Sequence, residues 1–380
     1  MIPLAIPNMA GNEARYLAEC VATNFVSTVG PFVGRFEEHV ASASGARGCV
    51  ATSCGTTGLH VALVALGVRR DDLVIVPSFT FIATANAVAH AGATPWLLDV
   101  HPGTWTLDPQ RLGDALDLET VRGADGKIVH ARTGRRVSAI VVVHTFGTPA
   151  DMDEIAAIAQ AHGLPLLSDA AAALGAEYKG RPIGRLGADL TMFSFNGNKT
   201  VTAGGGGAVA GDDEELLARV RHLSTTARVG ANYDHDEVGF NYRMTNLQAA
   251  VGCAQMELLD RFVRRKREIR RAYDEGLAGI DSVEPFPVPD WAESACWFSG
   301  FVTDPETADR VRTSLNDEGI DARPTWKPMH LQSPYADAPR SDVAVSDRIW
   351  RRIVTLPCST GITDGELDAV VGAVRRALPQ

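Results

Sequence analysis

Three polar residues stand at the ends of three consecutive apolar runs in the middle of the chain. One run ends at His144, the next ends at Asp169, and the third leads into Asn-Gly-Asn-Lys199, followed by glycines at 204–207. Parallel strands bring their carboxyl ends to one edge of an open α/β sheet, where ligands bind. The spacing therefore predicts a site at this edge, built from His144, Asp169 and Lys199.

Lys199 offers the most reactive chemistry of the three. The chain has only four other lysines: Lys127 in a polar excursion, Lys179 in a turn, Lys266 on a basic helix, and Lys327. We expect Lys127, Lys179 and Lys266 to be solvated. An amine that attacks a carbonyl must first lose its proton, which a desolvated position beside apolar walls or cationic groups permits. Lys199 is thus predicted to form a Schiff base, and the alternative is a surface lysine in a loop.

Asp169 and two small-residue positions fit a pocket for pyridoxal 5'-phosphate (PLP). The Asp169 carboxylate can pair with a protonated pyridine nitrogen and keep the ring an electron sink, or it can be a turn residue or helix cap. Gly55 and Thr56 open an amphipathic helix whose N–H groups can cradle a phosphate, although ordinary helix caps look alike. Phe81 can stack on the cofactor ring or pack in the core.

The positions of these residues follow from an alternation of short apolar runs and amphipathic stretches between 49 and 210. That alternation predicts β-α-β units and an α/β fold with a mostly parallel central sheet. Predicted strands cover 73–77, 94–99, 137–144, 165–169, 189–195 and 206–210, and predicted helices include 57–66 and 152–162.

The rest of the chain predicts a second, smaller domain. Residues 245–277 contain no proline and predict one long helix with a solvated basic face. After it come a strand-like piece at 297–302 and helix-like pieces at 307–318 and 364–378. We expect a large PLP-binding α/β domain at 1–245, and a linking helix with a small C-terminal α+β domain at 246–380.

Composition narrows the class of protein. The formal net charge of −10 argues against binding to nucleic acid, which relies on clustered Lys and Arg. Six cysteines without a C-x-x-C pair favour a reducing compartment, the cytoplasm. The sequence shows no signal peptide and no apolar run long enough to span a membrane. The histidines lack metal-ligand spacing, so we expect no metal and no membrane partner.

Several motifs together resemble the DegT/DnrJ/EryC1/StrS family of sugar aminotransferases over nearly the whole chain. The motifs are Ile6-Pro-Asn-Met-Ala-Gly-Asn-Glu, Cys54-Gly-Thr-Thr-Gly-Leu-His, Val143-His-Thr-Phe-Gly-Thr-Pro-Ala-Asp-Met-Asp, Ser194-Phe-Asn-Gly-Asn-Lys and Gly239-Phe-Asn-Tyr-Arg-Met-Thr-Asn-Leu-Gln-Ala-Ala. The family has the type I fold of PLP enzymes, that of aspartate aminotransferase. The lysine motif and the Asn-Tyr-Arg motif carry most of the specificity.

The resemblance implies a role for each site residue. Lys199 would form the internal aldimine and then act as the general base, while Asp169 would hold the pyridine nitrogen. Phe81 would stack on the ring, and Ser194 would bind the phosphate together with Gly55 and Thr56. Asn241 would reach the phosphate in a neighbouring subunit, which implies a homodimer with shared active sites.

The resemblance also implies the substrates. The chain looks most like enzymes that aminate C4 of UDP-linked 4-keto-6-deoxy sugars, of the bacillosamine and legionaminic acid type, and the segment at 323–332 supports this. L-glutamate would donate the amino group through pyridoxamine 5'-phosphate to a UDP- or dTDP-linked keto-sugar. Arg243, Trp326, Lys327 and His330 are candidates for contacts with the diphosphate or the sugar, and each can equally be structural.

Two alternatives remain open at this point. This chain has Ala172 three residues after Asp169, where family members usually carry Gln or Glu. That departure leaves room for a non-catalytic PLP-binding or regulatory relative. A PLP-dependent keto-sugar dehydratase is the second alternative, although relatives that run this reaction replace the lysine by His. Lys199 argues against it.

Overall fold

The computed structural model describes residues 1–379; residue 380, the last of the second predicted domain, lies outside the described residues. The α-helices are α1 (Glu13–Ala22), α2 (Pro31–Ser44), α3 (Gly55–Ala65), α4 (Ile82–His90), α5 (Pro109–Glu119), α6 (Met152–His162), α7 (Glu214–Ser224), α8 (Asn246–Met256), α9 (Leu259–Gly276), α10 (Pro305–Asp317), α11 (Ala344–Ile349) and α12 (Asp364–Ala377). The strands are β1 (Gly48–Thr52), β2 (Leu73–Pro77), β3 (Thr94–Leu98), β4 (Thr120–Arg122), β5 (Ile128–His130), β6 (Val137–Val143), β7 (Leu166–Asp169), β8 (Glu177–Tyr178), β9 (Arg181–Pro182), β10 (Leu190–Ser194), β11 (Gly207–Gly211), β12 (Arg228–Val229), β13 (Asp234–His235), β14 (Glu284–Pro285), β15 (Ala292–Glu293), β16 (Ser299–Val302), β17 (Arg323–Pro324) and β18 (Ile353–Leu356).

The largest sheet has the strand order β1-β11-β10-β7-β6-β2-β3. The strands from β10 to β3 run parallel to one another, whereas β11 is antiparallel to both of its neighbours. The mostly parallel central sheet predicted from the sequence is therefore confirmed. Each predicted strand of this sheet matches an observed strand to within one residue at either end.

Helices cover both faces of this sheet, which explains why its strands read as continuous apolar runs. Leu73 and Ile75 of β2 pack into a core with residues of α1, α2, α5, α6 and α8. Val74 and Val76, which point to the opposite face, pack with residues of α3, α4 and α7. Successive side chains of a strand point to opposite faces, so β2 is buried on both sides.

A second sheet, in the order β14-β16-β18-β17, is antiparallel. Helices α9, α10 and α12 share a core with it, and α10 and α12 confirm the helices predicted at 307–318 and 364–378. The start of the chain also bonds to this region, because the N–H of Cys358 donates to the carbonyl of Leu4 at 2.7 Å. The division into two domains at 245 and 246 stays a prediction.

The prediction of a single long helix at 245–277 is wrong, because α8 ends at Met256 and a separate helix, α9, begins at Leu259. Helix α8 packs against α1 and α2, whereas α9 packs against β16 and α12. Glu257, at the break, accepts hydrogen bonds from Tyr16 and Arg35, which fixes the change of direction. Neither α9 nor any other helix within residues 1–379 is long and apolar enough to cross a membrane.

The prediction that Lys266 is solvated is also wrong. Its side chain is 2% exposed, on the face of α9 that carries Phe262, Val263, Ile269 and Tyr273. These positions recur at the three- and four-residue spacing of a buried helix face, and Lys266 falls in that stripe. Lys127 and Lys179 lie at the surface as predicted.

Candidate active site

A cavity of about 350 Å³ opens at the carboxyl ends of the parallel strands. It brings together the three strand-end residues from which the sequence predicted a site, namely His144, Asp169 and Lys199. The lining also includes five further predicted site residues: Gly55, Thr56, Phe81, Ser194 and Trp326.

Lys199 lies in the turn that follows β10, where its N–H donates to the carbonyl of Asn196 at 3.0 Å. Its Nζ lies 3.7 Å from the centre of the Trp297 ring. Loss of hydration lowers the pKa of Lys199 to about 8; the Asp169 carboxylate opposes this change, and the charge of Lys266 adds to it. A fraction of the amine is therefore neutral near physiological pH, as a nucleophile or proton acceptor must be.

Asp169 ends β7 and is 5% exposed. Its Oδ2 accepts a hydrogen bond from the Thr84 hydroxyl at 2.7 Å, and its Oδ1 accepts one from the N–H of Ala171 at 3.1 Å. Burial raises the pKa of Asp169, while these two hydrogen bonds and the charge of Lys199 oppose the rise. The arrangement holds the carboxylate rigidly against the cavity and leaves it in need of a cationic partner.

The first turn of α3 forms the floor of the cavity beside Ser194. Cys54 caps the helix: its Sγ accepts from the N–H of Thr57 at 3.4 Å, and Thr57 Oγ1 accepts from the N–H of Cys54 at 3.1 Å. Gly55 lies so close to Ser194 that an added Cβ would be 3.0 Å from the Ser194 Cβ. The N–H groups of a first helical turn have no partner within the helix, so they are available to an anion at this point.

Aromatic side chains form one wall of the cavity. Phe81 precedes α4 and is 56% exposed, which rules out the alternative that it packs in the core. Its ring centre lies 6.3 Å from that of Trp326. Trp326 in turn packs against Phe146 and Trp297, with ring centres 4.9 and 6.1 Å away.

Residues 7–375 match the model of one protein family, described as the DegT/DnrJ/EryC1/StrS aminotransferase family. The chain belongs to this family. It is therefore an enzyme, an aminotransferase, and the resemblance to the family's sugar aminotransferases is confirmed. Membership implies dependence on PLP.

Individual proteins agree with the family assignment. The aminotransferase is 37% identical to a GDP-perosamine synthase of Caulobacter vibrioides, over 99% of this chain and 98% of that protein. The crystal structure of the aminotransferase TlmJ from Streptoalloteichus hindustanus matches it with a TM-score of 0.89 at 29% identity, over 99% and 98% of the two chains. DesV of S. venezuelae, solved in complex with a ketimine intermediate, matches with a TM-score of 0.86 at 30% identity, over 96% and 94%. The type I fold predicted from the sequence is thereby confirmed.

Four predicted site residues of the aminotransferase lie outside the cavity. Asn241 and Lys327 are exposed, and Arg243 lines a different groove. His330 is 7% exposed, and both of its nitrogens are engaged, Nδ1 with the Ser78 hydroxyl at 2.7 Å and Nε2 with Asp347 at 2.8 Å. A substrate contact of His330 stays a prediction, and its bonded nitrogens favour a structural role.

Sequence reasoning missed Trp297, which covers the Lys199 amine. Trp297 is positioned by a turn that is distant in sequence, since its backbone N–H donates to the carbonyl of Phe146 at 2.9 Å. Cys296, just before it, has a φ of 50°, in the left-handed region that non-glycine residues seldom adopt. The only local signal was an aromatic pair, Trp297 and Phe298, at the start of a predicted strand.

Proposed function

We propose that this aminotransferase moves an amino group from L-glutamate to the ketone of a nucleotide-linked 4-keto-6-deoxy sugar, with PLP as its cofactor. The observation that carries the proposal is the cavity in which the Lys199 amine, with its pKa near 8, and the buried Asp169 carboxylate line the same space. The similarity to a GDP-perosamine synthase favours GDP as the nucleotide, in place of the UDP or dTDP expected from the sequence.

The residues present fit PLP at three points. Lys199 supplies an amine that can lose its proton and would react with the cofactor's aldehyde. Asp169 supplies the anion that a protonated ring nitrogen needs, and its burial leaves that charge otherwise poorly compensated. The first turn of α3 and Ser194 supply donors for the phosphate, and the absence of a side chain at Gly55 keeps that space open.

When bound, PLP would store the amino group between the two half-reactions and accept electrons from the bond that breaks. The chain's own work is then to hold and to move protons. Thr84 and the N–H of Ala171 hold the Asp169 carboxylate in place, where it would keep a bound ring nitrogen protonated. With the cofactor bound, Lys199 would be the group that takes up and returns the proton, and efficient general bases have a pKa near the working pH.

A homodimer with shared active sites is part of the proposal. Asn241 and Arg243 lie outside the cavity of their own chain, where they are free to serve a second copy. The N–H of Asn246 donates to the carbonyl of Ser27 at 2.6 Å, so a segment with exposed apolar side chains lies against the start of α8. These side chains are Val21, Phe25, Val26 and Val29. Light scattering over a range of protein concentrations tests for the dimer.

The compartment proposed is the cytoplasm. All six cysteines are free thiols in the structure, and disulfides are rare where thiols are kept reduced. Free-thiol titration of protein purified without reductant, compared under native and unfolding conditions, tests whether they stay reduced.

Product formation tests the substrate proposal. Purified enzyme with PLP and L-glutamate is given GDP-, UDP- and dTDP-linked 4-keto-6-deoxy sugars in separate reactions, and mass spectrometry follows the sugar while 2-oxoglutarate is assayed. We expect an aminated GDP-sugar and an equal amount of 2-oxoglutarate. A sugar that loses water without 2-oxoglutarate would support the dehydratase, and binding of PLP without any turnover would support the non-catalytic relative.

A further inference from the structure

Lys266 of α9 is a buried lysine whose hydrogen-bond partners, among residues 1–379, are all uncharged. Its Nζ donates to the carbonyl of Trp297 at 2.9 Å and to the carbonyl of Cys358 at 2.7 Å, and the Cys358 Sγ lies 3.6 Å away. The side chain is 2% exposed. Burying an ammonium group costs free energy unless it is both hydrogen-bonded and paired with an anion, and here only the hydrogen bonds are present.

The surroundings of Lys266 do not neutralise it. Within residues 1–379, no carboxylate oxygen lies within 4 Å of its amine, whereas Arg270, one turn along the same helix, is paired with Asp274 at 2.9 Å. A buried cation without a paired anion acts on its neighbours through the weakly screening interior of the protein. The nearest consequence is at the active site, since the charge of Lys266 acts on Lys199.

Trp297 connects the two lysines. Its carbonyl accepts from Lys266, and its ring lies over the Nζ of Lys199 at 3.7 Å. Its indole Nε1 donates to the carbonyl of Asn198, the residue before Lys199, at 2.7 Å. By bonding to Trp297, Lys266 therefore helps to fix two features: the Trp297 ring that covers the Lys199 amine, and the turn that carries Lys199.

We propose that Lys266 is a positioning residue for Lys199: through the Trp297 carbonyl, it fixes the Trp297 ring over the Lys199 amine and helps to hold the turn that carries that amine. The inference rests on the role proposed above for Lys199. It assigns Lys266 no contact with substrate or cofactor.

Among the titratable groups around Lys199, Lys266 is the one whose charge lowers the pKa of the Lys199 amine. Asp169, from β7, opposes it, because its negative charge favours the protonated amine. His144, from the end of β6, is uncharged: burial lowers its pKa to about 3. Its Nδ1 accepts from the N–H of Ala150, and its Nε2 donates to Ser168. Cys54, at the start of α3, is engaged in the helix cap.

The test measures the ionisation of Lys199 in the cofactor-free protein, so it needs neither PLP nor a sugar. The protein is partially acetylated with acetic anhydride over a range of pH, and the modified fraction of the Lys199 peptide is read by mass spectrometry. The wild-type midpoint is expected at about 8. Lys266→Gln keeps a donor for the two carbonyls but removes the charge, and Lys266→Met removes both. We expect both variants to move the midpoint upward, because the charge of Lys266 lowers the pKa of Lys199.

Lys266→Arg, which retains the charge, is the matched control and should restore the wild-type midpoint. Circular dichroism establishes that each variant is folded. Equal midpoints in wild type, Lys266→Gln and Lys266→Met would overturn the proposal, and so would loss of the fold in both charge-removing variants, because Lys266 would then be a structural residue. An upward shift in a protein that aminates no sugar would contradict the proposed substrate and leave this inference standing.

Discussion

The edge of the large sheet and the loop at 323–332 both carry predicted site residues, but they hold them differently. At the sheet edge, Asp169 is fixed by two hydrogen bonds and Lys199 lies under the Trp297 ring. In the loop, Lys327 is exposed and His330 is bonded on both nitrogens. This chain alone brings together the residues proposed for the chemistry, whereas Lys327 and His330, proposed to recognise the substrate, are exposed or already bonded elsewhere.

Lys199→Ala tests most strongly whether the residues at the sheet edge carry the chemistry. Because Lys199 is proposed as both the cofactor's attachment and the proton carrier, turnover should fall by about 1000-fold or more. The initial rate of 2-oxoglutarate formation measures it. Lys179→Ala, which removes a surface lysine paired with Asp153, is the matched control and should keep the wild-type rate. A rate in Lys199→Ala close to that of the control would refute the mechanism.

Asp169→Asn should have the next largest effect. It preserves the shape of the side chain and removes the charge that would face the ring nitrogen, as when one partner of a buried ion pair is deleted. We expect a loss of about 100-fold in kcat/KM. Steady-state kinetics at saturating PLP separate this loss from weaker cofactor binding. Unchanged kcat/KM would mean that the carboxylate is only a strand-end residue.

Gly55→Ala tests the proposed phosphate cradle. The new Cβ would lie 3.0 Å from the Cβ of Ser194, so the floor must shift, and PLP affinity should fall by about tenfold, which corresponds to about 1.4 kcal/mol. Equilibrium titration with PLP measures the change. Because Ser194 is itself proposed to bind the phosphate, the double variant Gly55→Ala, Ser194→Gly is compared with Ser194→Gly alone, and the steric part of the loss should be absent between these two. If it is not, the contact with Ser194 is not its cause.

The pH dependence of cofactor addition tests whether the Lys199 amine at the sheet edge is desolvated. Burial lowers the pKa of Lys199 from its usual range to about 8, and only the neutral amine attacks an aldehyde. The rate at which PLP adds to cofactor-free protein should therefore rise with pH through about 8 and level off above it. Stopped-flow absorbance measures this profile. A midpoint near that of a solvated lysine would show that the amine is not desolvated.

His330→Ala tests the loop at 323–332 and should have the smallest effect on chemistry. The substitution leaves the Ser78 hydroxyl and Asp347 without their shared partner, so the free energy of unfolding should fall by about 1–3 kcal/mol. Urea unfolding measures it. The acetylation midpoint of Lys199 should not move. A normal unfolding curve combined with a large rise in KM for the nucleotide sugar would instead make His330 a substrate ligand.

The sequence was most informative where a pattern is local. The parallel strands β2, β3, β6, β7 and β10 were predicted because burial on both faces makes them continuous apolar runs. Strand β1 gives a weaker signal, since its sequence Gly-Cys-Val-Ala-Thr has a single large apolar residue and includes glycine and alanine, which strands disfavour. Gly55, Asp169 and Lys199 were found because they follow or precede such elements directly.

The remaining features depend on contacts between distant parts of the chain. Trp297 reaches Lys199 through a bond to Phe146 and an unusual backbone conformation at Cys296, neither of which a sequence pattern shows. Lys266 is a different case. Its position in the apolar stripe of α9 was visible in the helical spacing, but the surrounding run of arginines favoured a solvated face.

The most direct test of the account is the absorbance spectrum of the purified protein with PLP, before and after L-glutamate is added. The account predicts a band of lysine-bound cofactor at the edge of the visible range, its replacement by the pyridoxamine band on adding glutamate, and its return when the GDP-linked keto-sugar follows. Lys199→Ala should show no such lysine-bound band. A wild-type protein without the band, or with a band that glutamate leaves unchanged, would contradict the central role of Lys199.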